Sequence, residues 1–203
     1  MAEFSAVIEL KYNNTKGHME TGYLSLSNTS VVSKADSHCG ENETRLVIVI
    51  NGDLSNTLTF VVEKKNNKYF VRDVLFEADE NSIKDLIPLA PTEKKIAAEM
   101  VNQTLFEAPA TKSYLCKTQE HYKMTSEVKD KFEVTLDMKD VRFDAFRTSG
   151  DSYRDGQLCS DDTKISDTVP IIVGAALAAL VVIVLIAYFI GRRRSRRLAY
   201  QSV

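Results

Sequence analysis

Apolar and polar residues alternate with a period of two in several stretches of the first 150 residues, which is the pattern of strands with one buried face. The apolar positions of these stretches are Phe4, Ala6, Ile8, Leu10 and Tyr12; Leu58, Phe60 and Val62; Phe70, Val74 and Phe76, with Arg72 as an exception; Phe132, Val134, Leu136 and Met138; and Val141, Phe143 and Ala145. The alternation predicts a sheet-rich domain.

Two segments depart from the alternation. Leu46–Ile50 is continuously apolar and rich in β-branched residues, which predicts a strand buried on both faces; Asn51-Gly52-Asp53 then predicts a turn. Glu93–Met100 is the one stretch here that favours a helix. We expect an all-β domain of about eight to ten strands, a sandwich or a prism, over residues 1–150 and continuing to Cys159.

A different pattern begins near the C-terminus. Ile171–Ile190 contains 20 residues without a charged or strongly polar side chain. As a helix it is about 30 Å long, the thickness of a bilayer core. We predict a transmembrane helix at 171–190, preceded by a polar connector at 151–170 and followed by a tail at 191–203. The alternative, a buried core helix, rarely runs so long before an arginine cluster.

Charge predicts the orientation of this helix. Of the 26 basic residues, five follow the span and no acidic residue does, so the part before it has 21 basic and 28 acidic residues, a net charge of −7. Basic residues beside a span stay on the cytosolic side and act as a stop-transfer signal; here they are Arg192, Arg193, Arg194, Arg196 and Arg197. The rival topology, a tail-anchored protein with residues 1–169 in the cytosol, opposes this rule.

The predicted topology requires a signal peptide. Met1–Leu10 has no cationic start, continuous apolar core or cleavage site. We therefore expect that the signal peptide has been removed upstream of Met1.

Cysteines and sequons fit an oxidising lumen. Cys39, Cys116 and Cys159 make an odd count, so one of them has a partner upstream of Met1, a partner in a second chain, or none. A bridge between Cys116 and Cys159, 43 residues apart, would add about 4 kcal/mol in the loop-entropy description. The alternative is three free thiols in a cytosolic protein. N-glycosylation sequons begin at Asn13, Asn28, Asn42 and Asn102.

The last four residues, Tyr200-Gln201-Ser202-Val203, form a Tyr-x-x-Φ sequence ten residues past Ile190. A clathrin adaptor that adds this segment as an edge strand needs one pocket for the tyrosine and one for the terminal apolar side chain. We predict a sorting signal, against the alternative of a chance terminus.

The chain resembles the lysosome-associated membrane glycoprotein (LAMP) family over nearly its whole length. The resemblance lies in Asp36–Gly40, Ser113–Cys116, Cys159, the span from Val173 to Arg194, and Tyr200–Val203. It implies a β-prism with two disulfides: Cys116 with Cys159, and Cys39 with a cysteine just before Met1. Many members have two such domains where this chain has one, and a glycine before the tyrosine where this chain has Ala199.

No enzyme motif is evident, and we expect neither catalysis, a metal nor a cofactor. His18, His38 and His121 lack metal-ligand spacing, and no nucleophile elbow or phosphate-binding glycine loop is present. The acidic domain offers no nucleic-acid footprint.

The expected function is that of a type I glycoprotein that protects and organises the lysosomal or late-endosomal limiting membrane, with possible transit through the plasma membrane. The alternatives are a co-receptor that escorts another membrane protein to endosomal or synaptic vesicles, and a surface adhesion receptor. The expected partners are the lipid bilayer, clathrin adaptor complexes and a second copy of the chain. The last would pack through the small residues Gly174, Ala175, Ala178 and Ala179 of the span.

Overall fold

The computed structural model describes residues 1–88, 90, 95–126, 131–147, 150–163 and 168–199, without the side chains of 168–170 and 193–199. The chain divides into two units, Met1–Thr163 and Lys164–Val203. The first is a β domain and the second contains a long helix.

The β domain contains thirteen described strands. They are β1 Ala2–Asn13, β2 Met19–Ser25, β3 Val31–Val32, β4 His38–Cys39, β5 Glu43–Val49, β6 Thr57–Lys65, β7 Lys68–Asp79, β8 Lys95–Met100, β9 Leu105–Pro109, β10 Ser113–Cys116, β11 Glu120–Ser126, β12 Phe132–Phe143 and β13 Gly156–Leu158. Two short helices, α1 Glu80–Ile83 and α2 Ser160–Thr163, and a 3₁₀ turn at Ile50–Gly52 complete it. The all-β prediction is confirmed, but the predicted strand count was too low, because strands of two to four residues leave no readable alternation.

Strand β12 is the centre of one half of the sheet. It pairs along its length with β1, and on its other side with β11 and β10. Strand β11 also pairs with β8, from which the order continues through β7, β6 and β5 to β3. Nearly all pairs are antiparallel; β13, the last strand, runs parallel to β10.

The helix predicted at Glu93–Met100 is wrong where the structure describes this stretch. Lys95–Met100 is strand β8, held between β7 and β11. Within it Ile96 and Ala98 are buried, as a period of two requires. Pairing on both sides outweighs the high helix propensity of its alanines.

Two interruptions of the alternation are β-bulges. In β7 the register with β6 shifts at Arg72, so Tyr69 and Val71 are buried there instead of the predicted Phe70. In β12 the extra residue Asp140 has a φ of 53°, and the buried positions change from even to odd numbers after it. A bulge adds one residue and so reverses which positions face the core.

The core lies between the two halves of the sheet. Its aromatic centre is Phe143, whose ring lies 5.4 Å from that of Phe60 and 5.3 Å from that of Phe106. Leu46–Ile50, expected to be buried on both faces, has Val47, Ile48, Val49 and Ile50 buried. The predicted turn at Asn51-Gly52 follows it, with both residues at positive φ.

The second unit contains helix α3, Thr168–Ala199. Ile171–Arg192 has a mean hydropathy of 3.0 and no side chain buried against protein. Its length and composition suit a membrane span, as predicted.

Candidate functional site

The segment that leads toward the span, residues 150–163, folds back onto the β domain. Strand β13 pairs with β10, and the amide of Ser113 donates to the carbonyl of Asp155 at 2.9 Å. The hydroxyl of Ser113 donates to the carbonyl of Arg154 at 2.8 Å. The described part of this segment therefore packs on the β domain.

A disulfide joins this segment to β10. The structure brings Cys116 and Cys159 together as a bonded pair with a Cα–Cα distance of 5.1 Å, and both residues are buried. The amide of Cys159 donates to the carbonyl of Leu115 at 2.9 Å. The bridge therefore continues the β10–β13 ladder, four residues before the last residue of this unit.

A buried ion pair holds the same segment from inside. The carboxylate of Asp144 is fully buried and accepts hydrogen bonds from the backbone amide of Arg154 at 2.9 Å and from its Nε at 2.7 Å. The Nη2 of Arg154 donates to the carbonyl of Ala145 at 2.6 Å. A buried carboxylate is tolerated because a guanidinium and an amide satisfy it.

The sequence analysis did not predict this ion pair of Asp144 and Arg154, which we call the clasp. Asp144 lies between Phe143 and Ala145, at a position that the alternation assigns to solvent. Its partner Arg154 lies in what reads as a polar connector. No sequence signal pairs them, because the contact exists only once β13 returns to β10.

Asp162 attaches helix α2, which follows the disulfide, to Lys117 and Thr118. Its carboxylate accepts hydrogen bonds from the backbone amides of Lys117 at 2.6 Å and Thr118 at 3.0 Å. It also accepts one from the Thr118 hydroxyl at 2.7 Å. These hydrogen bonds, the one from Lys117 first, lower the pKa of Asp162 below 3.8. Asp162 also lies near both cysteine sulfurs, but a disulfide has no thiolate to offer a metal.

The four sequon asparagines, Asn13, Asn28, Asn42 and Asn102, are all exposed. Asn13 ends strand β1, and the other three lie outside strands. Asn102 has a φ of 56°, a left-handed conformation that asparagine tolerates well. Each side chain is therefore accessible to a modifying enzyme.

Cys39 is exposed and, among the cysteines that the structure describes, is the free one. It lines an open, mainly apolar groove of about 590 Å³ whose walls include Met1, Phe4, Leu46 and Phe146. Cys39 and Met1 thus lie on one groove, far from the Cys116–Cys159 bridge in sequence.

The predicted tail sites are only partly described. The backbone of Arg192, Arg193, Arg194, Arg196 and Arg197 is helical, because α3 continues to Ala199. The sorting signal Tyr200–Val203 lies outside the described residues. The small residues Gly174, Ala175, Ala178 and Ala179 lie within the exposed part of α3.

A disulfide-closed β domain followed by an apolar helix and basic residues defines a single-pass membrane protein. Residues 1–160 match the family described as lysosome-associated membrane glycoprotein 2-like, luminal domains. Residues 169–201 match the family described as lysosome-associated membrane glycoprotein 2, transmembrane segment. The chain belongs to the lysosome-associated membrane glycoprotein family, and the predicted resemblance is confirmed.

Individual relatives support the same assignment. Lysosome-associated membrane glycoprotein 1 of Gallus gallus is 33% identical over 150 residues, 72% of this chain and 32% of the relative. The Homo sapiens protein of that name is 26% identical over 205 residues, all of this chain and 44% of the relative. This chain therefore spans less than half the length of either relative.

Solved structures agree on the fold. The membrane-proximal domain of mouse lysosome-associated membrane protein 1 superimposes with a TM-score of 0.61 at 19% identity, covering 79% of this chain and 88% of that domain. The membrane-distal domain of mouse lysosome-associated membrane protein 2 gives 0.63 at 17% identity, covering 78% and 90%.

Members of this family are lysosomal membrane proteins with a single transmembrane helix. The order of luminal domain, span and basic tail is that of a type I membrane protein. The predicted lysosomal location is confirmed.

Proposed function

We propose that this chain is a structural glycoprotein that shields the limiting membrane of the lysosome from luminal hydrolases. The main support is how far along the chain the contacts of the β domain continue. Disulfide, buried clasp and Asp162 hold the chain in place up to residue 163, and α3 begins at residue 168. In the sequence only residues 164–167 separate these two described segments.

Glycans supply the outer part of this shield. Four exposed asparagines would each bear a bulky, solubilising chain on the strand ends and turns, where backbone is otherwise most open to cleavage. Fold and sugars thus protect different parts of the same surface.

Removing the sequons tests the protective role. We expect the combined variant Asn13→Gln, Asn28→Gln, Asn42→Gln and Thr104→Ala to be degraded several-fold faster in lysosomes than the wild type, measured by pulse-chase. Thr104 replaces Asn102 as the target because glutamine is strained at a φ of 56°. Asn81→Gln, at an exposed asparagine outside any sequon, is the control. An unchanged half-life would reject the shield.

We further propose that Tyr200–Val203 binds clathrin adaptors as an added edge strand. Tyr200→Ala should shift the protein to the cell surface at steady state, measured by surface biotinylation, because the ring fills one of the two specific pockets. Gln201→Ala should not, since the second position of the signal contributes backbone only. Normal lysosomal residence of the tyrosine variant would disprove the signal.

We also propose a disulfide partner for Cys39 and self-association of the span. Cys39 pairs with a cysteine upstream of Met1, supported by the groove that Cys39 and Met1 share. Self-association through the small residues of the span gives a lateral coat. Recovery of one stoichiometric membrane partner by crosslinking would instead favour the trafficking co-receptor.

A further inference from the structure

Strand β2 forms an edge of the sheet. Among the strands that the structure describes, it pairs with β1 on one side and with none on the other. Of the described strands that pair on a single side it is the longest, with seven residues; β3, β4, β9 and β13 have two to five. An open edge of this length is a template on which another extended chain can pair.

The backbone groups of the odd-numbered residues of β2 point to the open side. The amide of Leu26 donates to the carbonyl of Ala6 at 3.0 Å, which places the even-numbered residues of β2 in hydrogen-bonded pairs with β1. Thr21 and Tyr23 therefore direct their N–H and C=O groups outward. Among the described residues, none hydrogen-bonds to these groups.

The side chains of β2 do little to discourage pairing at this edge. Proteins protect edge strands by short length, proline, bulges or charged side chains. Strand β2 contains no proline, and its register with β1 has no bulge. Its one charged residue, Glu20, is engaged by the Asn14 side chain at 2.6 Å and the Tyr12 hydroxyl at 3.2 Å. The exposed residues of β2 on the outer face are uncharged: Met19, Thr21, Tyr23 and Ser25.

A glycosylation sequon lies directly beside this edge. Asn13, the last residue of β1, is paired in register with Met19, and both side chains are exposed. The Cβ atoms of such a pair lie about 4.5–5.5 Å apart. Asn13 and Met19 also line one small surface depression of about 70 Å³. The turn after Asn13 is closed by a hydrogen bond from the Asn14 amide to the His18 carbonyl at 2.8 Å, which fixes Asn13 next to β2.

From this placement we propose that the glycan of Asn13 covers the open edge of β2 and prevents it from pairing with β2 of a second copy. A second copy presents the same edge, so the contact is self-complementary. In an antiparallel pair centred on Thr21, Met19 of each copy lies opposite Tyr23 of the other, a favourable sulfur–aromatic contact. A bulky, hydrated sugar chain over Met19 excludes this approach.

This role rests on the glycosylation proposed above and adds to it. The sequons at Asn28, Asn42 and Asn102 lie outside strands, so their glycans cover turns. Asn13 alone among the four is paired with an edge strand.

The test uses the full glycosylated chain, purified in a mild detergent. Thr15→Ala removes the sequon and keeps the Asn13 side chain. We expect it to raise the associated fraction, measured by size-exclusion chromatography with light scattering, about threefold over the wild type, because it opens the edge. Asn28→Gln, which removes a glycan outside any strand, is the control and should leave that fraction unchanged. Association through the span is common to all variants and cancels in the comparison.

A second substitution locates the association. Thr21→Lys, added to Thr15→Ala, places like charges opposite each other at the centre of the edge and should return association to the wild-type level. Hydrogen–deuterium exchange gives an independent readout. The amides of Thr21 and Tyr23 should exchange about fivefold more slowly in Thr15→Ala than in the wild type, because strand pairing protects them.

Four results would overturn the edge role. They are an Asn13 that glycopeptide mass spectrometry finds unoccupied in the wild type, no gain in association when an occupied Asn13 loses its glycan, an equal gain in Asn28→Gln, and association that Thr21→Lys does not reverse. The last three leave the protective role of the glycans standing, because that role is tested by the half-life in lysosomes.

Discussion

Asp162 shows how a single side chain can continue to contribute to stability at mildly acidic pH. Its carboxylate accepts hydrogen bonds from the amides of Lys117 and Thr118, and these bonds are stronger for the ionised form. Because its pKa is lowered in the folded state, its contribution to stability is complete above 3.8, the value expected when unfolded. The contribution is lost as pH falls through the lower, folded pKa.

This sign leads to a pH prediction. Asp162→Ala should lower the melting temperature of the full chain by a few degrees at about pH 5, where the wild-type carboxylate remains ionised. Below pH 3.8 the difference from the wild type should shrink, because the wild type then also loses the interaction. Asp151→Ala, at an exposed acid of the same segment, is the control. Thermal unfolding monitored by circular dichroism gives the result; a difference that grows on acidification would contradict it.

At the scale of elements, close approach of the backbone decides how the first two strands pack. The segment after α1 lies directly over Gly22 of β2. A Cβ at Gly22 would lie 2.5 Å from the carbonyl oxygen of Leu86 and 2.7 Å from Cγ2 of Ile87. Ile87 is itself buried, and the Tyr12 hydroxyl donates to the carbonyl of Pro88 at 3.0 Å. Glycine is therefore required at this position for steric reasons.

The Gly22→Ala substitution tests this contact. We expect it to destabilise the β domain by about 1–3 kcal/mol, the usual cost of overpacking, because the obstructing atoms include backbone. The neighbouring Thr21→Ala, on the exposed side of β2, should change stability by less than about 0.5 kcal/mol. Urea unfolding of both variants, monitored by tyrosine fluorescence, compares them. Equal stability of Gly22→Ala and the wild type would show that the covering segment moves freely.

The bulges show why the alternation was read correctly for most strands and misread in one. In β12 the apolar positions are even-numbered up to Met138 and odd-numbered from Val141, so the change is visible in the sequence. Asp140 is the extra residue. In β7 the corresponding change cannot be seen in the sequence, because Tyr69, Phe70 and Val71 are all apolar. Only the register with β6 shows that Arg72 is the extra residue. It lies on the surface, where it pairs with Glu43, Glu63 and Asp73.

At the scale of the whole molecule, the β domain and the membrane helix are stabilised by different interactions. The domain is closed by a 43-residue disulfide loop that contributes about 4 kcal/mol in the loop-entropy description. The clasp of Asp144 and Arg154 lies beneath the same segment. Helix α3 satisfies its own backbone hydrogen bonds, so it needs only lipid around it. The two units are thus stabilised independently.

The sequence by itself determined the span, the topology, the family and most buried strand positions. Each of these depends on local composition or on a period that a few consecutive residues set. The tertiary structure alone decided that Lys95–Met100 is a strand, that Asp144 and Arg154 pair, and that β13 pairs with β10. These features depend on strand pairing and on contacts between distant segments, and no local pattern encodes either.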